Sequence, residues 1–166
     1  MPDLPIVICY DGSDTAKEAI RQTADLHPGA DVVVVTAWSS LESLAYSWIS
    51  MAGNVSDIEI EAEAHTTAEE GAALATEAGL RAHAEAVQAN GSVGRTLVGW
   101  IMATPCKLVA TGAVGHWAFA DVVSGSVANV LTHHSPVPVL LVRLPHPATR
   151  FTPSAEDDRI AIELAP

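Results

Sequence analysis

Apolar and polar residues follow one another along this chain in blocks that predict five short strands separated by helices. Unbroken runs of β-branched residues, such as residues 32–35, are typical of parallel strands that are covered on both faces. Residues 81–87 instead alternate small and charged side chains with a period of two, which predicts an edge strand. The predicted strands are residues 6–10, 32–38, 81–87, 107–111 and 137–142.

Helical spacing is present in the segments between these strands. Residues 14–26 form the first predicted helix, in which Thr15 and Glu18 have the spacing of a capping box. Its buried face is predicted to contain Ala16, Ala19, Ile20 and Thr23. Residues 58–61 alternate like a strand, but the alanine and glutamate content of residues 58–80 favours a long helix.

Two further helices are predicted in the second half of the chain. One covers residues 93–105 and ends near Pro105. The other covers residues 126–134, with one face formed by Val127, Val130, Leu131 and His134. Pro138 opens the last strand and indicates that one edge of this strand is not fully paired within the chain.

This order of strands and helices predicts an α/β fold, a three-layer sandwich with right-handed crossovers. We expect one domain over residues 1–143 and a tail, rich in proline and acidic residues, over 144–166. The tail is predicted to be mobile or draped on the surface, with an added strand over residues 158–163 as the alternative. Residues 39–58 are predicted to hold a short extra helix, with Leu41, Leu44, Ala45, Trp48 and Ile49 on one face, followed by a loop.

Charge and cysteine content narrow the classes of function. Eight basic against twenty acidic residues give a net charge of −12, a surface that repels nucleic acid and anionic lipid. No apolar run approaches the roughly 18 residues needed to span a membrane. The start of the chain lacks the basic region of a secretory signal, so we expect a cytoplasmic protein. Cys9 and Cys106 are expected to be buried, reduced thiols.

The candidate chemistry lies where two predicted strands end. Asp11-Gly12-Ser13 follows the first strand, and Gly112 and Gly115 follow the fourth. Gly125-Ser126 then opens a helix, whose N-terminal N–H groups and dipole favour an anion. Glycines let a backbone approach a ligand closely, so the pattern predicts a nucleotide phosphate site.

These residues resemble the universal stress protein family over about residues 4–143. The resemblance is carried by Asp11-Gly12-Ser13, by the spacing G-x2-G-x9-G-[ST] from Gly112 to Ser126, and by the apolar run 135–142. It implies a five-stranded parallel sheet in the order 3-2-1-4-5, the adenine nucleotide α-hydrolase-like fold. The first and fourth strands would then be neighbours at the switch point, where open α/β sheets bind ligands.

The resemblance also implies a set of binding residues, because family members with this glycine loop bind ATP. Asp11 would contact ribose or adenine, and Ala37 would lie against adenine. The residues expected along ribose and phosphates are Thr111, Gly112, Gly115, His116, Gly125, Ser126, Val127 and Ala128, the last four through backbone N–H groups and the Ser126 hydroxyl. Family members often carry basic residues at the positions of Val114 and His116. ADP and AMP are therefore alternatives to ATP as the nucleotide that this chain would bind. Mg²⁺ is a candidate for neutralising the phosphate charge.

The function implied is that of a nucleotide-dependent regulator or binding switch in a stress response, not of a fast enzyme. A dimeric interaction protein of the same fold without nucleotide is one alternative, and a slow ATPase or autophosphorylating protein is another. The resemblance further implies a homodimer formed through the last strand, residues 137–142. A strand edge covered by a partner is physically reasonable, because an open edge presents unpaired backbone groups.

Overall fold

A sheet of five parallel strands lies between two layers of helices in the computed structural model, which describes residues 4–40, 56–113 and 126–144. The described elements are β1 (Ile6–Cys9), α1 (Asp14–Leu26), β2 (Asp31–Ser39), α2 (Asp57–Glu77), β3 (Arg81–Ala89), α3 (Val93–Ala103), β4 (Leu108–Gly112), α4 (Ser126–His134) and β5 (Val139–Val142). The strand order is β3-β2-β1-β4-β5, which confirms the predicted topology. β3 is an edge strand, also as predicted.

The two faces of the sheet are packed against different helices because successive strand residues point to opposite sides. On one face, Ile6 and Ile8 of β1 lie in a cluster with residues of α1 and α2. On the other, Val7 and Cys9 lie in a cluster with residues of α3 and α4. Strands buried on both faces explain the unbroken β-branched runs in the sequence.

Helix α1 begins one residue after Ser13, and the predicted capping box between Thr15 and Glu18 is wrong. Ser13 is the N-cap, and its hydroxyl accepts a hydrogen bond from the Ala16 N–H at 3.2 Å. Glu18 is instead bound by Arg21 and Gln22, each at 2.8 Å, farther along the same helix. The predicted buried face is confirmed, because Ala16, Ala19, Ile20 and Thr23 are all buried.

Helix α2 lies close to the sheet because its buried residues are small. Its start carries a capping box between Ser56 and Glu59, and the buried stripe is Ala64, Ala68, Gly71, Ala72 and Ala75. A Cβ added at Gly71 would lie 2.7 Å from Tyr10 Cδ1 and 2.8 Å from Val34 Cγ1. The helix ends at Glu77, earlier than predicted, because Gly79 has a φ of +90° that no helix continues.

Several element boundaries differ from the sequence-based ones by one or a few residues, and three strands show a physical reason. β2 and β3 pair with each other through Ser39 and Ala89, so both strands are longer than predicted. β5 begins at Val139 because Pro138 has no N–H to donate to a neighbouring strand. The face predicted for α4 is buried at Leu131, but His134 at its end is exposed.

The predicted extra helix within residues 39–58 and the predicted tail over 144–166 fall largely outside the described residues. Gly115, His116 and Gly125 also lie outside them. Among the described helices, none is long and apolar enough to cross a membrane. The described residues likewise contain no cluster of three or more His, Cys, Asp or Glu side chains that would hold a metal ion.

Candidate functional site

The register of the sheet places the predicted site residues at one edge. Val35, Cys9, Thr111 and Leu141 form one row across the neighbouring strands β2, β1, β4 and β5. Gly112 lies one residue beyond this row, and Asp11 and Ala37 each lie two residues beyond it. Because all strands are parallel, these residues lie together at the C-terminal edge of the sheet. β1 and β4 meet there at the switch point.

The turn after β1 presents Asp11 to solvent in a fixed geometry. Gly12 has a φ of +78°, a conformation that L side chains rarely adopt, so glycine is favoured at this position. The Ser13 N–H donates to Asp11 Oδ1 at 3.1 Å, which orients the exposed carboxylate. One oxygen of Asp11 is therefore used inside the turn, and the side chain remains accessible at the sheet edge.

β1 stops pairing with both β2 and β4 at this row, so the switch-point crevice that parallel α/β sheets form begins here. The Tyr10 N–H still donates to the Val35 carbonyl at 2.9 Å. The Thr36 hydroxyl then donates to the Tyr10 carbonyl at 2.9 Å, a side-chain bond where the ladder would otherwise continue. β2 and β3 continue side by side past this point to Ser39 and Ala89, so they form one wall of the crevice.

Gly112 is packed against the first turn of α1. A Cβ at this position would lie 2.5 Å from Thr15 Oγ1, 2.8 Å from Thr15 Cβ and 2.9 Å from the Thr15 carbonyl carbon. Gly112 is not among the glycines with positive φ, so backbone conformation does not require glycine here. The close approach of α1 is a sufficient reason for glycine, independent of any ligand.

Two helices begin at this edge with different electrostatics. α1 starts with Asp14 in its first turn, and the Ser13 hydroxyl already caps it. α4 has no acidic residue in its first turn and two histidines, His133 and His134, in its last. An anion is stabilised at a helix N-terminus only if local charge does not repel it. The start of α4, at exposed Ser126, is therefore the better anion site of the two.

Cys9 and Tyr10, which directly precede Asp11, are held protonated. Burial, with a smaller contribution from Asp11, raises the pKa of the Cys9 thiol to about 12. Burial and the hydrogen bond that the Tyr10 hydroxyl donates to Glu70 Oε1 at 2.9 Å raise the pKa of Tyr10 above its ordinary value. Neither of these two groups is therefore an ionised nucleophile near neutral pH.

Of the predicted site residues that the structure describes, four lie together at the ends of β1, β2 and β4. They are Asp11, Ala37, Thr111 and Gly112. Ser126, Val127 and Ala128 form the start of α4, with Ala128 buried, Val127 half-buried and Ser126 exposed. Sequence reasoning missed the hydrogen bonds that the Ser13, Thr15 and Thr36 hydroxyls make at this edge of the sheet. For Ser13 a signal was present, because serine before an amphipathic run is a helix N-cap pattern. Thr15 and Thr36 act through residues distant in sequence, so no local pattern indicates them.

These features define a doubly wound α/β protein whose topological switch point lies between β1 and β4. The model of the universal stress protein family matches residues 4–143, so the chain belongs to the universal stress protein family. A comparison with curated protein sequences finds no match.

The fold is also similar to solved structures of family members. A universal stress protein from Archaeoglobus fulgidus in complex with dAMP is 20% identical, with a TM-score of 0.62 over 86% of this chain and 99% of that one. A universal stress protein in complex with cAMP is 21% identical, with a TM-score of 0.57 over 85% of this chain and 97% of that one. An Arabidopsis thaliana family protein with AMP bound is 10% identical, with a TM-score of 0.56 over 92% and 97%. At these identities the likeness shows the fold.

Proposed function

We propose that this chain binds an adenine nucleotide, with ATP as the first candidate, in the crevice between β1 and β4. We further propose that binding switches its interaction with a partner in a stress response. The observation that carries the proposal is the juxtaposition of Asp11 and Gly112 on neighbouring strands, with the acid-free start of α4 at the same edge. The dAMP, cAMP and AMP in three structural neighbours support adenine as the base.

In this proposal each part of the crevice contacts one part of the nucleotide. Asp11, with its accessible carboxylate, contacts ribose or adenine, and Ala37 on the β2 wall lies against adenine. The residues proposed along ribose and phosphates are Thr111, Gly112, Gly115, His116, Gly125, Ser126, Val127 and Ala128. Since the chain has a net charge of −12, a Mg²⁺ ion on the phosphates would reduce the repulsion.

We expect Mg²⁺ to strengthen ATP binding more than AMP binding. ATP brings the larger negative charge to an acidic protein, so it gains more from a bound cation. Calorimetric titration with ATP, ADP and AMP, each with and without Mg²⁺, measures the difference. A protein that binds none of them at millimolar concentration, and that carries no adenine compound when purified, would disprove the proposed function.

A matched pair of glycine variants locates the site. Gly115→Val is expected to abolish binding because a side chain there would block the backbone from the phosphates. Gly99→Ala in α3 is the control, because a Cβ added at Gly99 meets no atom within 4 Å. Equal loss in both variants, or no loss in Gly115→Val, contradicts the location.

Each alternative function predicts one experimental result that the proposed function does not. A nucleotide-free interaction protein would bind its partner equally well with and without ATP. A slow ATPase would release phosphate, and sustained turnover at about 1 per second would support an enzyme within the usual range.

We also propose that the chain forms a homodimer through β5. The carbonyls of Pro138 and Val142 accept hydrogen bonds from Val109 and Ala113, at 3.0 and 2.7 Å, so these residues face β4. Because alternate residues of a strand face opposite neighbours, the backbone groups of Val139 and Leu141 point away from β4. β5 lies at the edge of the described sheet and contains only apolar residues, whereas the opposite edge strand carries Arg81, His83 and Glu85. Charged side chains protect an edge from pairing, and β5 lacks that protection.

Leu141→Pro is expected to convert the proposed dimer to a monomer, because it removes an outward N–H while keeping the bonds to β4. Sedimentation velocity measures the oligomeric state. Leu141→Ala is the control, since it also shortens the side chain but keeps the N–H. A wild-type monomer, or a dimer that survives Leu141→Pro, would contradict this interface.

The proposed location is the cytoplasm. Cys9 and Cys106 are both free and buried. Reduced thiols are the ordinary state of cysteine in the cytosol. Fractionation of cells that express the protein tests this assignment.

A further inference from the structure

We propose that the hydroxyl pair of Ser13 and Thr15 is the positioning element that sets the spacing between the two sides of the crevice. The inference rests on the proposed nucleotide site and adds two residues that were not assigned to it. Both residues are buried, with 9% and 8% of their surface exposed, although they lie beside an exposed turn.

The pair is connected to Asp11 on one side. Ser13 Oγ and Thr15 Oγ1 are 3.2 Å apart, within hydrogen-bond distance. Ser13 also donates its N–H to Asp11 Oδ1 at 3.1 Å and accepts the Ala16 N–H at 3.2 Å. The orientation of the Asp11 carboxylate is therefore tied to the first turn of α1.

The pair contacts Gly112 on the other side. Thr15 Oγ1 is the closest atom to the position of an added Gly112 Cβ, at 2.5 Å, and the Thr15 backbone is also within 3 Å of it. The hydroxyl bond to Ser13 favours the side-chain orientation in which the small oxygen, not the methyl group, faces β4. Ser13 and Thr15 thereby connect the end of β1 to the end of β4, the two strands between which the crevice opens.

Thr15→Val tests this inference because valine keeps the shape of threonine but replaces the hydroxyl with a methyl group. The larger methyl would face Gly112, and the Ser13 hydroxyl would lose its bond to Thr15 while still accepting the Ala16 N–H. We expect the ATP dissociation constant to rise about fivefold, within the range of coupling energies between contacting residues. Thr15→Ser keeps the hydroxyl and is expected to bind within about twofold of wild type.

Thr23→Val is the matched control. Thr23 lies on the same helix, is fully buried, and its hydroxyl donates to the Ala19 carbonyl at 2.7 Å, away from the crevice. We expect it to lower the melting temperature by a similar amount while leaving ATP affinity unchanged. Wild-type affinity in Thr15→Val, or equal weakening in Thr23→Val, overturns the inference.

Amide NMR spectra of the nucleotide-free protein separate this inference from the proposed function. If wild type binds no nucleotide, the proposed function fails, and the positioning role is then decided by these spectra. Thr15→Val is expected to shift the amide resonances of Ser13 and of Gly112 and Ala113 together, because the pair links both sides. Shifts confined to residues 13–17 would show that Thr15 does not position β4.

Discussion

Replacing Gly112 with alanine is expected to lower the free energy of unfolding by about 1–3 kcal/mol, the usual cost of overpacking a tight site. The added Cβ would lie within 3 Å of three Thr15 atoms, one of which belongs to the backbone and cannot rotate away. Either α1 or the end of β4 must therefore move. Since Asp11 is tied to the start of α1, we also expect ATP binding to weaken by at least about tenfold.

Denaturant unfolding of the nucleotide-free variant decides why this position is glycine. If the phosphates alone require it, Gly112→Ala will be as stable as wild type and will lose only ATP binding. If the contact with α1 requires it, stability falls without any ligand present. Gly99→Ala adds the same methyl group to an exposed helical position and is expected to raise stability by about 0.5–1 kcal/mol. Stability unchanged in Gly112→Ala would show that α1 accommodates the methyl group.

Sequence alone was sufficient to predict the architecture and to place Asp11 and Gly112 at the same edge of the sheet. Alternation of strands and helices restricts the topology, and parallel strands place their C-terminal ends at one edge. Asp11 and Gly112 each follow a short apolar run directly, so their positions at that edge depend only on local pattern. The resemblance to the family added the strand order, which the structure confirms.

The details of the crevice were not predictable because they depend on contacts between distant segments. Thr36 bonds to the Tyr10 carbonyl across 26 residues, and nothing local distinguishes it from other threonines in strands. How far β2 and β3 pair past β1 was also not predictable, because the unbroken apolar run of β2 does not alternate and so specifies its register only weakly. The predicted capping box at Thr15 was wrong for a different, local reason: Ser13, two residues earlier, caps the helix, and Thr15 in its first turn faces β4.

The distribution of charge helps to explain how so acidic a chain would accept a phosphate. α2 carries seven acidic residues and no lysine or arginine: Asp57, Glu59, Glu61, Glu63, Glu69, Glu70 and Glu77. α3 and α4, on the opposite face of the sheet, carry no acidic residue. The acidic layer is thus separated from the start of α4 by the sheet itself. Because exposed charges are screened over about 10 Å at 0.1 M salt, the repulsion felt at α4 is smaller than the net charge suggests.

Gly71→Ala is the second substitution with a large expected effect. The new methyl group would lie 2.7 Å from the Tyr10 ring and 2.8 Å from Val34 Cγ1, both in the packed core. Alanine gains up to about 1 kcal/mol of helix propensity over glycine, but overpacking costs about 1–3 kcal/mol. We expect a net loss of up to about 2 kcal/mol in the free energy of unfolding.

The consequence for the site follows from the position of Tyr10, which directly precedes Asp11. Its hydroxyl donates to Glu70 on α2, and Lys17 Nζ on α1 lies 3.7 Å from the same Glu70 oxygen. A displaced α2 would therefore disturb the residue from which the Asp11 turn begins. Denaturant unfolding measures the stability. Gly99→Ala is the helical control, which should be more stable than wild type, whereas Gly71→Ala should be less stable. If both variants gain stability, α2 can move away from the sheet at little cost, and the close contact at Gly71 does not support the end of β1.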